Sequence, residues 1–194
     1  MKFFVRRLLL SAGFWLILGA RGSFALPGQT VNEVEAWIQA HPTLRPAPGE
    51  SLLVRFSDTP AQRFIFQASI LAPGQLGPTG NGGTIRSERM QLFDMINGIT
   101  FNRLEESLRS IYGADVYSDF RRSVTVYAYP NEASPPPRNP DLLLQGELRE
   151  GVRYGYWVEL AANQAGVIYT GRINVLLKED LRPLQNHLQR SGKR

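Results

Sequence analysis

The segment from Asp141 to Lys178, DLLLQGELREGVRYGYWVELAANQAGVIYTGRINVLLK, leaves this chain the fewest options. Runs rich in Leu, Val, Ile and Tyr are broken at Glu150-Gly151 and again at Asn163 to Gly166, links short enough to be hairpin turns. Strands joined by such turns pair antiparallel, so the segment predicts a three-stranded meander. The run before it, RSVTVYAY from Arg122 to Tyr129, sets Val124, Val126 and Ala128 against Ser123, Thr125 and Tyr127, the alternation of a half-buried strand. Between the two lies PNEASPPPRNP, Pro130 to Pro140, a proline-dense loop with too few backbone donors for a sheet.

Upstream the pattern changes period. Thr30 to Glu33, TVNE, has the form of a capping box, and Val31, Val34, Trp37 and Ile38 follow at helical spacing until Pro42 ends the run. Ser51 to Ser57 and Gln62 to Leu71 read as two strands around an Asp58-Thr59-Pro60-Ala61 turn. Ala72 to Thr84, APGQLGPTGNGGT, is too rich in Gly and Pro for a regular element and predicts a flexible loop. It lacks the Lys-Ser/Thr pair of a phosphate cradle, and Ile85 replaces the last glycine of a dinucleotide pattern. A strand running to Asp94 with an Asn97-Gly98 turn is expected next, then a helix from about Thr100. In that helix Leu104, Leu108 and Ile111 form the apolar stripe, Glu105 is placed to pair with Arg109, and Gly113 is the expected stop. EDLRPLQNHLQR predicts a final helix with acids at its start, Leu181, Leu184 and Leu188 on one stripe, and Pro183 confined to the first turn.

The succession α-β-β-β-α-β-β-β-β-α with hairpin links predicts an α+β fold: a largely antiparallel sheet packed by two or three helices. No internal repeat is visible in the sequence.

The N-terminus reads as an address. Lys2, Arg6 and Arg7 precede an apolar run from Leu8 to Ala20, and Ser23-Phe24-Ala25 places small residues where a signal peptidase requires them. The run is short for a span of roughly 20 residues. Residues 1–25 are therefore expected to be a signal peptide cleaved after Ala25, leaving residues 26–194 as one domain with flexible loops near 72–84 and 130–140. The expected location is exported: periplasm, lumen or extracellular space, by a bacterial type of route. Arg21 before the cut site keeps an uncleaved membrane anchor as the alternative, and Arg6-Arg7 admits a twin-arginine route as well as the general one.

Export also changes the meaning of the charge. Of 22 basic residues, Lys2, Arg6, Arg7 and Arg21 leave with the signal, so 18 remain against 17 acidic ones, a net of +1. The general argument for nucleic-acid binding goes with them. The chain has no cysteine, which excludes disulfides, thiol catalysis, iron–sulfur clusters and thiolate zinc sites. Its histidines, His41 and His187, lack a second ligand at metal spacing, so no metal and no cofactor are expected.

No G-x-S-x-G elbow presents a serine, and both histidines fit surface or capping roles better than a triad. The acidic pairs Glu105-Glu106 and Glu179-Asp180 fall in first turns of expected helices, where the dipole alone favours them. No catalytic residue is assigned. The stronger pattern is aromatic and basic: Tyr127, Tyr129, Arg153, Tyr154, Tyr156, Trp157, Tyr169 and Arg172 fall along neighbouring strands. Tyr154, Tyr156, Val158 and Leu160 share one face of a strand, while Trp157 and Glu159 share the other. Cross-strand packing accounts for such residues in one way, and partner binding in another, because rings and guanidinium groups are concentrated at interfaces. The expected function is a non-enzymatic binding or accessory domain for a protein or envelope component, with membrane contact only if the N-terminal segment is kept. The alternative is a hydrolase-like enzyme with a carboxylate/arginine site, such as Glu159 with Arg172, in a concave pocket at the helix–sheet boundary.

Overall fold

The computed structural model describes residues 26–75, 83–130 and 143–191. The expected signal segment with Ser23 and Ala25, and the loop stretches 76–82 and 131–142, lie outside the described residues. The elements are α1 (Val31–Ala40), β1 (Leu53–Thr59), β2 (Gln62–Ser69), β3 (Ser87–Asp94), α2 (Phe101–Arg122), β4 (Val124–Tyr129), β5 (Leu143–Glu150), β6 (Tyr154–Ala162), β7 (Ile168–Leu177) and α3 (Lys178–Ser191). This is the expected order, and the fold is α+β.

All these strands form one antiparallel sheet in the order β1-β2-β3-β7-β6-β5-β4. β7 docks on β3 as well as β6, and that pairing joins the N-terminal strands to the meander. Register then decides which side chains share a face. Val54, Phe66, Met90, Ile173 and Val158 lie opposite one another across successive strands and are all buried. α1 and α2 cover this face. Trp37 of α1 stands 6.0 Å from the Phe66 ring and stacks at 6.2 Å on Tyr112 of α2.

Local chemistry sets the helix ends. Thr30 Oγ1 accepts from the Glu33 N–H at 3.3 Å and Glu33 accepts from the Thr30 N–H at 2.9 Å, completing the capping box. His41 closes α1: its Nδ1 accepts from the Thr43 and Leu44 N–H groups at 3.2 and 3.3 Å. Nε2 therefore carries the proton and donates to the Ile111 carbonyl at 3.1 Å. The capping role expected for this histidine is the one it has.

Several local expectations are corrected. Gly113 does not end α2; it breaks it, with φ 75° and ψ −167°, and the helix resumes to bury Val116, Asp119 and Phe120 before β4 begins. Glu105 pairs with Arg121 rather than Arg109, at 3.3 Å. Sixteen residues of straight helix would separate those groups by about 24 Å, so the pair closes only because the chain redirects at Gly113, a conformation that glycine adopts without steric cost. The valines expected to be half-buried are exposed, Val124 at 67 % and Val126 at 37 %, because β4 is an edge strand and α2 does not reach over it.

α3 lies on the opposite face. Leu181 and Leu184 bury against Leu148 and Leu176, with Tyr127, Trp157 and Leu188 at the margin. Arg86 holds its N-terminus, donating to both Asp180 oxygens at 3.0 and 2.7 Å and to Glu179 at 2.7 Å. Pro183 sits in the second turn rather than the first, because α3 already begins at Lys178. No helix among the described residues is long and apolar enough to cross a membrane.

Candidate functional site

Strand alternation sends every second side chain of the sheet away from α1 and α2. One register row on that outer face runs Ile65, Gln91, Arg172, Glu159, Gly146, Tyr129 across β2, β3, β7, β6, β5 and β4. The next row holds Gln67, Arg89, Asn174, Trp157, Leu148 and Tyr127, and its Leu148 end passes under α3. The outer face is thus partly roofed and partly polar.

Its centre is Glu159, only 4 % exposed. The Tyr129 hydroxyl donates to Glu159 Oε1, and Arg172 Nη2 pairs with Oε2. Trp157 Nε1–H donates to the Tyr129 oxygen at 2.8 Å, and the Arg172 guanidinium carbon lies 4.5 Å over the Trp157 ring. Burial pushes the Glu159 carboxyl up, while Arg172 and the Tyr129 hydrogen bond pull it back. Burial and the neighbouring carboxylate push the Tyr129 hydroxyl upward as well, so it stays a donor. The cluster needs a glycine opposite it. A Cβ on Gly146 would stand 2.9 Å from Glu159 Cγ and closer still to the Tyr129 hydroxyl.

A second cation–ring pair lies one row away, where Arg63 of β2 stacks 4.3 Å over Phe93 of β3. Tyr169 meets the edge of that same ring at 5.9 Å. Arg89, four residues along β3 from Phe93 and in the same row as Trp157, donates through Nη2 to the Gln67 side-chain oxygen.

Of the residues singled out in the sequence, the structure brings together Tyr127, Tyr129, Trp157 and Arg172, with Tyr127 and Tyr129 at 5.9 Å ring to ring. It sends Tyr154 and Tyr156 into the core beneath α2, as their parity on β6 requires. There Tyr156 meets Phe120 edge-on at 5.2 Å and donates to Asp119 at 2.8 Å. Arg153 lies in the β5–β6 link, 5.3 Å over the Tyr154 ring, away from the Glu159 cluster. Sequence reasoning missed Arg63, Arg89 and Phe93. Their signal was present, arginines and a phenylalanine at alternate positions of two strands, but only the β3–β7 pairing shows that they share a face with Arg172.

A buried acid was missed too. Glu88, beside Arg89, points the other way into the core, where the Tyr112 hydroxyl donates to it at 2.6 Å and its second oxygen has no partner. Burial pushes its carboxyl up to about 7.

A cleft of about 250 Å³ opens between the α1–β1 link, β1, β2 and α2, lined in part by Thr43, Phe56, Phe64, Ser107 and Ser110. It contains neither Glu159 nor Arg172. Among the described residues no group of three or more His, Asp or Glu is placed to hold a metal ion. What the outer face offers chemically is guanidinium groups braced on rings, amide side chains, and a carboxylate whose two oxygens are both engaged.

Compared with known protein families, curated protein sequences and solved structures, the chain finds no match.

Proposed function

We propose that this protein is an exported binding or accessory domain that meets a protein or envelope component through the outer face of its sheet. The observation that carries this reading is the pair of braced cations, Arg172 over Trp157 and Arg63 over Phe93, on a face that α3 covers only at one end. A guanidinium held flat on a ring loses little side-chain entropy on contact and keeps its outward donors available. The signal-like N-terminus supports export, and an uncleaved segment would present the same face beside a membrane.

The test is native mass spectrometry of the protein purified from its own source. A chain beginning at Leu26 with a co-purifying mass that the Phe93→Glu variant loses is the expected result. A chain retaining Met1 in the cytoplasmic fraction overturns export. A co-purifying mass indifferent to Phe93→Glu overturns the choice of face.

A hydrolase reading has one observation in its favour, the convergence of Arg172 on a Glu159 carboxyl pushed upward by burial. The engagement of both Glu159 oxygens weighs against it, since a general base needs a free one.

A further inference from the structure

We propose that Arg89 and Arg172 together form a docking site for a carboxylate of a partner protein, carried on an acidic peptide segment that lies along the outer face beside α3. This rests on the binding reading above and gives its partner a chemistry.

The argument begins with charge balance. β2, β3 and β7 present Arg63, Arg89 and Arg172 on the outer face and, among the described residues, no carboxylate on that side. Glu159 of β6 reaches one of them, Arg172, and is committed to that arginine and to the Tyr129 hydroxyl. Arg89 stands opposite Asn174, two positions along β7 from Arg172. Such diagonal neighbours are about 7–8 Å apart, close enough for one carboxylate to touch both.

Arg89 is under-served where it sits. Its hydrogen bond goes to Gln67, a neutral amide, and its Nε, shielded from solvent, has no acceptor. A buried donor without an acceptor is destabilising, and this one belongs to a cation that a methionine of similar length could replace if packing were its whole purpose. Burial and the like charge of Arg172 both pull the Arg89 pKa down, the opposite of what a satisfied ion pair does. An incoming anion offsets the like charge.

The class of anion follows from the geometry. Arg172 already holds a carboxylate in this structure, so the site's spacing and tilt suit that group. Planar guanidinium forks match a planar carboxylate in two parallel bonds. The flanking Arg63–Phe93 stack and the half-buried Ile65 extend the surface across further strands, which suits a chain segment with several contacts better than a free ion with one.

The experiment uses the mature chain and a fluorescein-labelled hexaglutamate peptide, with hexaglutamine as the neutral twin, read by fluorescence anisotropy at low salt. Hexaglutamate is expected to bind and hexaglutamine not. Arg89→Gln should weaken binding at least tenfold with an unchanged circular dichroism spectrum, whereas Arg109→Gln, exposed on α2, should leave it intact. Should Arg89→Gln fail to fold, the exposed Arg63→Gln should still weaken binding at least threefold. Equal binding of both peptides, an equal loss in the Arg109 variant, or displacement by millimolar inorganic phosphate as effective as unlabelled hexaglutamate overturns the proposal. If a native partner depends on Phe93 while hexaglutamate does not bind, the binding reading stands and the acidic-segment assignment alone falls.

Discussion

The two faces of the sheet are built from the same kinds of residue and put them to opposite uses. On the inner face Tyr156 and Phe66 are sealed under α1 and α2, and the hydroxyls of Tyr156 and of Tyr112 from α2 are turned to the few acids buried with them. On the outer face Trp157 and Phe93 serve as platforms for arginines, Tyr129 bridges Trp157 and Glu159 through its hydroxyl, and their surroundings remain partly open. The acids differ in the same way. Glu88 inside has one hydrogen bond and no cation, while Glu159 outside has a tyrosine and an arginine. Residue type alone therefore says little here; the neighbouring strand and the helix above decide whether a ring is core or contact.

The largest expected effect breaks the comparison if it fails. Tyr156→Ala removes a fully buried ring and its bond to Asp119, and should cost about 3–5 kcal/mol in urea unfolding. Tyr127→Ala at the margin of α3 should cost well under half of that, and equal losses would mean that the outer face is core as well.

The acids give the next test. Burial pushes the Glu88 carboxyl up to about 7 in the folded chain from an ordinary value of 4.5, so between those values the folded state binds its proton more tightly than the unfolded state. Its contribution is complete below the lower value and is lost as pH rises through the upper one, roughly 3 kcal/mol in all. Stability should therefore fall between about pH 5 and pH 8, and Glu88→Gln should flatten that slope. Parallel melting curves for the two proteins across this range would show that the inner acid is not held protonated.

Tyr129→Phe should cost about 1–2 kcal/mol, because it takes a donor from Glu159 and an acceptor from Trp157 at once. Combining it with Trp157→Phe in a double-mutant cycle should show coupling; additive losses would mean that these groups do not act as one cluster. Smallest is Thr30→Ala, about 1 kcal/mol from the α1 cap, which should leave any outer-face binding unchanged.

Much of the fold was legible in advance. The cap at Thr30, the turns at Glu150-Gly151 and Asn163 to Gly166, and the order of elements are local matters, set by periodicity and by side chains a few residues apart. The break at Gly113 was legible only as a breaker. Whether a glycine ends a helix or merely redirects it depends on what the next turn can bury, here Val116 and Phe120. The candidate site was half legible. Tyr127, Tyr129, Trp157 and Arg172 lie on three strands of one stretch of chain, whereas Arg63, Arg89 and Phe93 come from its first half.

The sequence by itself determined which segments are strands, which are helices, and that the second half pairs antiparallel, because hairpin links and alternation act over a handful of residues. Tertiary structure alone decided that β7 pairs with β3, that α3 covers one end of the outer face, and that Arg89 and Arg172 share that face while only Arg172 holds an acid. Those outcomes rest on register between strands more than seventy residues apart, where one step of slip would exchange the inner and outer faces.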